Sequence, residues 1–121
     1  DRCRSMLSVA PQTSIFIAVN PVDFRLGIDG LAQRCRSVLA QDPMSGYLFV
    51  FKNRKSNAIK ILSYDGQGFV LYHKRWSSGR LTWWPQSSSN GLQVPARELM
   101  ILLYNGDPKR ANMADDWRAV S

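Results

Sequence analysis

One histidine, two cysteines and nine acidic side chains are all that this sequence of 121 residues offers to metal, redox or acid–base chemistry. With His73 alone and no Cys-x-x-Cys pair, a zinc site lacks ligands, and no metal or other cofactor is expected. Cys3 and Cys35 are too few for a disulfide framework, and Cys35 falls where a helix would turn its apolar face inward, so it reads as a small core residue. The longest apolar runs, Ile15 to Val19 and Leu99 to Tyr104, fall far short of the roughly 20 residues that a bilayer crossing needs. The stretch after Met6 carries Ser8, Pro11, Gln12 and Thr13 rather than the apolar centre of a secretion signal, so a cytoplasmic location is expected. No glycine-rich phosphate loop is present, because Gly66-x-Gly68 sits in a turn rather than at the entrance to a helix.

The carboxylates are scarce and mostly have structural explanations. A two-metal nuclease needs several of them around its ions. Asp23 is placed to cap a helix, Asp42 precedes Pro43 at a boundary, Asp65 precedes Gly66 in a turn, and Asp107 precedes Pro108. Asp29 alone lacks such a role. His73 has no nucleophile or second base spaced to work with it, so the chain is read as a protein without enzyme activity.

What the sequence does contain is an ordinary globular composition, 45% hydrophobic and 21% charged, in the size range of one domain. Met6 to Gly106 is read as that domain. Asp1 to Ser5 precede any pattern and are read as an added or read-through segment, and 107–121 as a polar tail or a short docked helix. Ile15 to Val19 predicts a first strand, stopped by Asn20-Pro21. Apolar residues at Ile28, Leu31, Ala32, Cys35, Val38 and Leu39 predict a helix that begins near Asp29, since Gly27 and Gly30 weaken its start. Strands are then predicted over Tyr47 to Lys52, Ala58 to Tyr64, Phe69 to Trp76 and Arg80 to Trp84, with a short edge strand over Leu92 to Val94. Pro95 opens a second helix whose buried side is assigned to Leu99, Met100, Leu102 and Leu103. The expected class is α+β: a mainly antiparallel meander of about five strands, one helix after the first strand and another near the C-terminus.

The formal charge is +7, and its placement is informative. Between positions 52 and 80 stand Lys52, Arg54, Lys55, Lys60, Lys74, Arg75 and Arg80 against one acid, Asp65. In an antiparallel meander the first and third connections share one end of the sheet. Lys52, Arg54 and Lys55 should therefore meet Lys74, Arg75 and Arg80 there, with Asp65 at the far end. Such a rim attracts nucleic-acid phosphates; it is equally compatible with loops kept soluble and sheet edges kept unpaired by basic side chains.

Trp83 and Trp84, adjacent in a predicted strand, should point to opposite faces, so that one is either exposed or covered by another element. An exposed indole beside Arg75, Trp76 and Arg80 would stack on a base or anchor a partner.

Several short motifs, in order, resemble one family. Asp23-Phe24-Arg25-Leu26-Gly27-Ile28-Asp29-Gly30-Leu31 is similar to the Asp-Met-Arg-Lys-Gly-x-Asp-Gly-Leu segment of the accessory protein encoded by the second reading frame of insertion sequence 66 elements. That protein is also called TnpB and is distinct from the RNA-guided nuclease that shares the label. The similarity continues through Asp42-Pro43, Ser45-Gly46, Leu48 to Phe51, Arg54, Ile59-Lys60, Leu62, Asp65-Gly66, Gly68 and Leu71, then Lys74-Arg75, Gly79-Arg80, Trp83 and Pro85. Leu26 replaces the family's lysine, Trp76 its leucine, and Val94 its Ser or Thr cap. The resemblance implies participation in transposition beside a separate, larger transposase that carries the catalytic domain. It marks Asp23, Arg25, Asp29 and Gly30 as motif positions, either a binding surface or a fold signature. The leading expectation is an accessory factor that binds element-end DNA; the alternative is an adapter that docks on the transposase or on a second copy of itself.

Overall fold

A computed structural model describes residues 13–104, and the expected domain limits at positions 6 and 106 lie outside the described residues. The elements run β1 (Ile15–Ala18), α1 (Ile28–Ser37), β2 (Leu48–Lys52), β3 (Ala58–Tyr64), β4 (Phe69–Arg75), β5 (Gly91–Val94) and α2 (Ala96–Leu103). The class is α+β. The five strands form one sheet in the order β4-β3-β2-β1-β5.

Its connectivity follows from what lies between the strands. β2, β3 and β4 are joined by short turns and pair antiparallel, as a meander must. The connection from β1 to β2 contains α1, long enough to carry the chain back to the starting end, and this pair is parallel. β5 returns antiparallel along the other edge of β1, with Ala18 opposite Gly91.

Side-chain alternation assigns the two faces. Phe16, Ala18, Phe49, Phe51 and Leu62 turn toward α1, which buries Leu31, Ala32 and Cys35 against them. Ile15, Ile17, Leu48, Val50, Ile59 and Ile61 turn the other way and are covered by Leu99, Leu102 and Leu103 of α2. Covered on both faces, β2 is buried from Leu48 through Phe51, which accounts for its unbroken apolar run.

Three local expectations are corrected. Arg80 to Trp84 form no strand; the edge of β1 is occupied by Gly91–Val94 instead, and Trp84 reaches back to donate its indole Nε1–H to the Ala18 carbonyl at 3.0 Å. Asp23 does not cap α1, whose N-cap is Gly27 without a side-chain bond, because the Asp23 carboxylate is engaged by Arg25 two residues on. Met100 is exposed, and Ile101 takes the buried position of α2 assigned to it.

Candidate nucleic-acid interface

The parallel placement of β1 and β2 gathers three connections at one end of the sheet: residues 19–27 after β1, 53–57 between β2 and β3, and the long segment that leaves β4. Asp65, in the turn between β3 and β4, is at the opposite end.

The 53–57 turn is held from inside by side-chain amides. Asn53 Oδ1 accepts from the backbone N–H groups of Asn57 and Ala58 at 3.0 and 3.3 Å, and Asn53 Nδ2 donates to Asn57 Oδ1 at 2.6 Å. Ser56 adopts a left-handed φ of 57° to complete the reversal. Its carbonyl accepts from Leu81 N at 2.6 Å, and the Asn57 carbonyl accepts from Trp76 N at 3.0 Å, so the segment after β4 is tied to this turn. The consequence is that Arg54 and Lys55 project from a braced loop, with exposed Arg80 on the neighbouring segment.

A groove of about 460 Å³ opens between this turn, the 22–25 segment and β4, and Arg25, Arg54, Lys55 and Arg75 line it together with Asp23 and His73. The charge within it is uneven. Among the described residues Asp23 is the groove's one carboxylate, and it is bound by Arg25 through Nε and Nη2, the shortest contact being 2.7 Å. The Arg25 side chain and backbone N–H, with Arg54 nearby, lower the Asp23 carboxyl from 3.8 to about 2. Arg54, Lys55 and Arg75 have no carboxylate partner at ion-pair distance among the described residues. His73 lies on the same face of β4 as Arg75, and its pKa is lowered by partial loss of hydration and by Lys60 and Arg75. Among the described residues no three His, Cys, Asp or Glu side chains converge in a way that holds a metal ion.

Of the seven basic residues singled out in the sequence, the structure brings Arg54, Lys55 and Arg75 to the groove and leaves Arg80 exposed beside it. The other three are occupied elsewhere. Lys60 is 8% exposed, and its Nζ donates to the carbonyls of Phe24 and Leu26 at 2.9 and 3.0 Å while lying 5.0 Å from the Phe24 ring centroid. Lys74 points to the α2 face, where its Nζ donates to the Leu103 carbonyl at the end of α2, 5.5 Å from the Trp76 ring and 5.4 Å from the Tyr104 ring. Lys52 donates to Ser56 Oγ at 3.0 Å and lies 5.8 Å from the Trp84 ring.

The tryptophans are likewise sorted by packing. Trp84 is buried, and Trp76 and Trp83 are partly buried against the α2-side core. In the family motif, Asp29 is exposed on the first turn of α1, and Gly30 fits under Leu26, whose Cδ2 stands only 2.7 Å from where a Cβ would be. Sequence reading left Arg25, Asn53, Asn57 and His73 out of the basic end. Asn53 and Asn57 belong to it through the turn that carries Arg54 and Lys55, and His73 through its place beside Arg75 on β4, whereas Arg25 reaches it only through the tertiary approach of the 22–25 segment.

Comparison with known proteins agrees with the motif order. Residues 13–113 match the model of the family described as IS66 Orf2 like protein. Two proteins of Sinorhizobium fredii (strain NBRC 101917 / NGR234) are similar over most of their length: uncharacterized protein y4hO, 33% identical across 93% of this chain and 96% of its own, and uncharacterized protein y4jC, 33% identical across 77% and 79%. No solved structure matches the chain significantly. The chain therefore belongs to the IS66 Orf2-like proteins, a family with an accessory role in transposition.

Proposed function

We propose that the protein is a non-catalytic transposition factor that binds DNA through the cationic groove and assists the element's transposase there. The observation that carries this reading is the convergence of Arg25, Arg54, Lys55 and Arg75 around a single, already paired carboxylate, with Arg80 alongside. Guanidinium groups present planar forks suited to phosphate oxygens, and a braced loop loses little freedom when it binds. Of the three indoles an adapter could use, Trp84 is part of the core, while Trp76 and Trp83 remain partly exposed.

Four cations of this end, Arg54, Lys55, Arg75 and Arg80, lack a carboxylate partner at ion-pair distance among the described residues. If each neutralises one phosphate of a duplex, log affinity falls with log salt at a slope of about −3.5, roughly a hundredfold loss for a fourfold rise in salt. Fluorescence anisotropy on element-end duplex measures this slope. Changing Arg54 and Arg75 together to Ser should halve it while the thermal melt stays in place. A slope near zero, or a slope untouched by the double substitution, rejects the groove as the DNA site.

A further inference from the structure

We propose that the groove holds an unpaired DNA strand in preference to duplex, with a base against His73 and its phosphate on Arg54 and Arg75. This rests on the nucleic-acid reading above and deepens it.

Three observations support it. The first is shape. The groove is open along its length, and its volume of about 460 Å³ leaves room for one nucleotide to lie between the 22–25 segment, the 53–57 turn and β4. A nucleotide of a single strand can turn its ring face into such a groove, whereas a duplex keeps its base faces stacked on one another and shows only phosphates and base edges.

The second is the kind of side chain among the cations. His73 and Phe24 both line the groove, with ring centroids 5.7 Å apart and planes at 85°. Lys60 lies over Phe24, while His73 is exposed on β4, two residues from Arg75 on the same face of the strand. Aromatic faces beside a basic track are the means by which proteins hold single strands, since every base has a ring to stack. Partial burial, with Lys60 and Arg75 nearby, lowers the His73 pKa and so favours the uncharged ring, which is the form that stacks at least desolvation cost.

The third is hydrogen-bonding capacity. Asn57 lines the groove, uses its Oδ1 to accept from Asn53, and keeps its Nδ2 donors for a base edge. None of these three features is needed to hold phosphates alone.

The test compares two labelled probes at one salt concentration, an oligothymidylate of about 15 nucleotides and a duplex of similar length. The full chain should bind the single strand more tightly. His73→Ala should weaken single-strand binding by roughly five- to tenfold and duplex binding less than about twofold, and His73→Phe should restore most of the loss. Because His73 is exposed, both variants should melt with the parent. Equal affinity for the two probes, or an equal loss on both in His73→Ala, overturns the inference and leaves the DNA-binding reading standing. Failure to bind either probe overturns both.

Discussion

Replacement of Lys60 by Met tests what the Asp23 to Leu31 motif is for. Lys60 is buried without a carboxylate at ion-pair distance among the described residues; its charge is met by the Phe24 and Leu26 carbonyls and by the Phe24 ring. Hydrogen bonds to a charged group contribute roughly 1.5–3 kcal/mol each, so two of them amount to several kcal/mol. Methionine recovers part of this, since it fills a similar volume and removes the cost of burying an ammonium group. A net loss of about 2 kcal/mol remains, and for a domain of this size it lowers the melting temperature by on the order of 10 °C. Circular dichroism melts measure that shift, and amide exchange at residues 24–27 should rise more than exchange in β2. DNA binding should weaken as well, because the carbonyls that Lys60 holds flank Arg25. An unchanged or raised melting temperature would refute the reasoning. It would show that water replaces the ammonium group without loss, and that Lys60 does not fasten the motif to the sheet.

Three further outcomes follow from the packing and the titrating groups. Gly91→Ala should cost about 1–3 kcal/mol in urea unfolding, because the added Cβ would stand 2.6 Å from Phe16 Cε2 and 3.0 Å from the Ile17 carbonyl; an unchanged midpoint would mean that β5 pairs differently. Burial pushes the Cys35 thiol up to about 12, so in a Cys3→Ser background it should resist alkylation at mildly alkaline pH until the protein is unfolded, and rapid labelling of the native protein would contradict its place on the sheet-facing side of α1. The Asp23 carboxyl should titrate near 2 by NMR and move back toward 3.8 in Arg25→Ser; since its pKa is lowered on folding, its stabilising contribution is complete above 3.8 and is lost as the pH falls through about 2. A native value near 3.8 would show that the pair with Arg25 does not form in solution.

Much of this architecture could be read from residue patterns, because the physics involved is local or periodic. The unbroken apolar run from Leu48 to Phe51 implied a strand covered on both sides, the spacing from Ile28 to Cys35 a helix with one apolar face, and Asp65-Gly66 a reversal between paired strands. The concentration of positive charge at one end follows from the alternation of connections in a meander, so Arg54, Lys55 and Arg75 were found together where the charge pattern placed them.

Tertiary structure decided which of those charges are available. Lys60 and Lys74 look like solvated cations in the sequence, but each donates to backbone carbonyls in a distant segment, and only three-dimensional packing supplies such partners. The same holds for Arg80 to Trp84, whose β-branched and aromatic residues suggest a strand: the edge of β1 can be filled once, Gly91–Val94 fill it, and Trp84 is left to close the core. Asn57 and His73 meet through the pairing of β3 with β4, and Arg25 joins their groove because the helical connection through α1 leaves β1 and β2 parallel, bringing residues 22–25 to the same end of the sheet. Propensity and periodicity govern elements one at a time; which atoms meet across elements depends on how their faces are buried together.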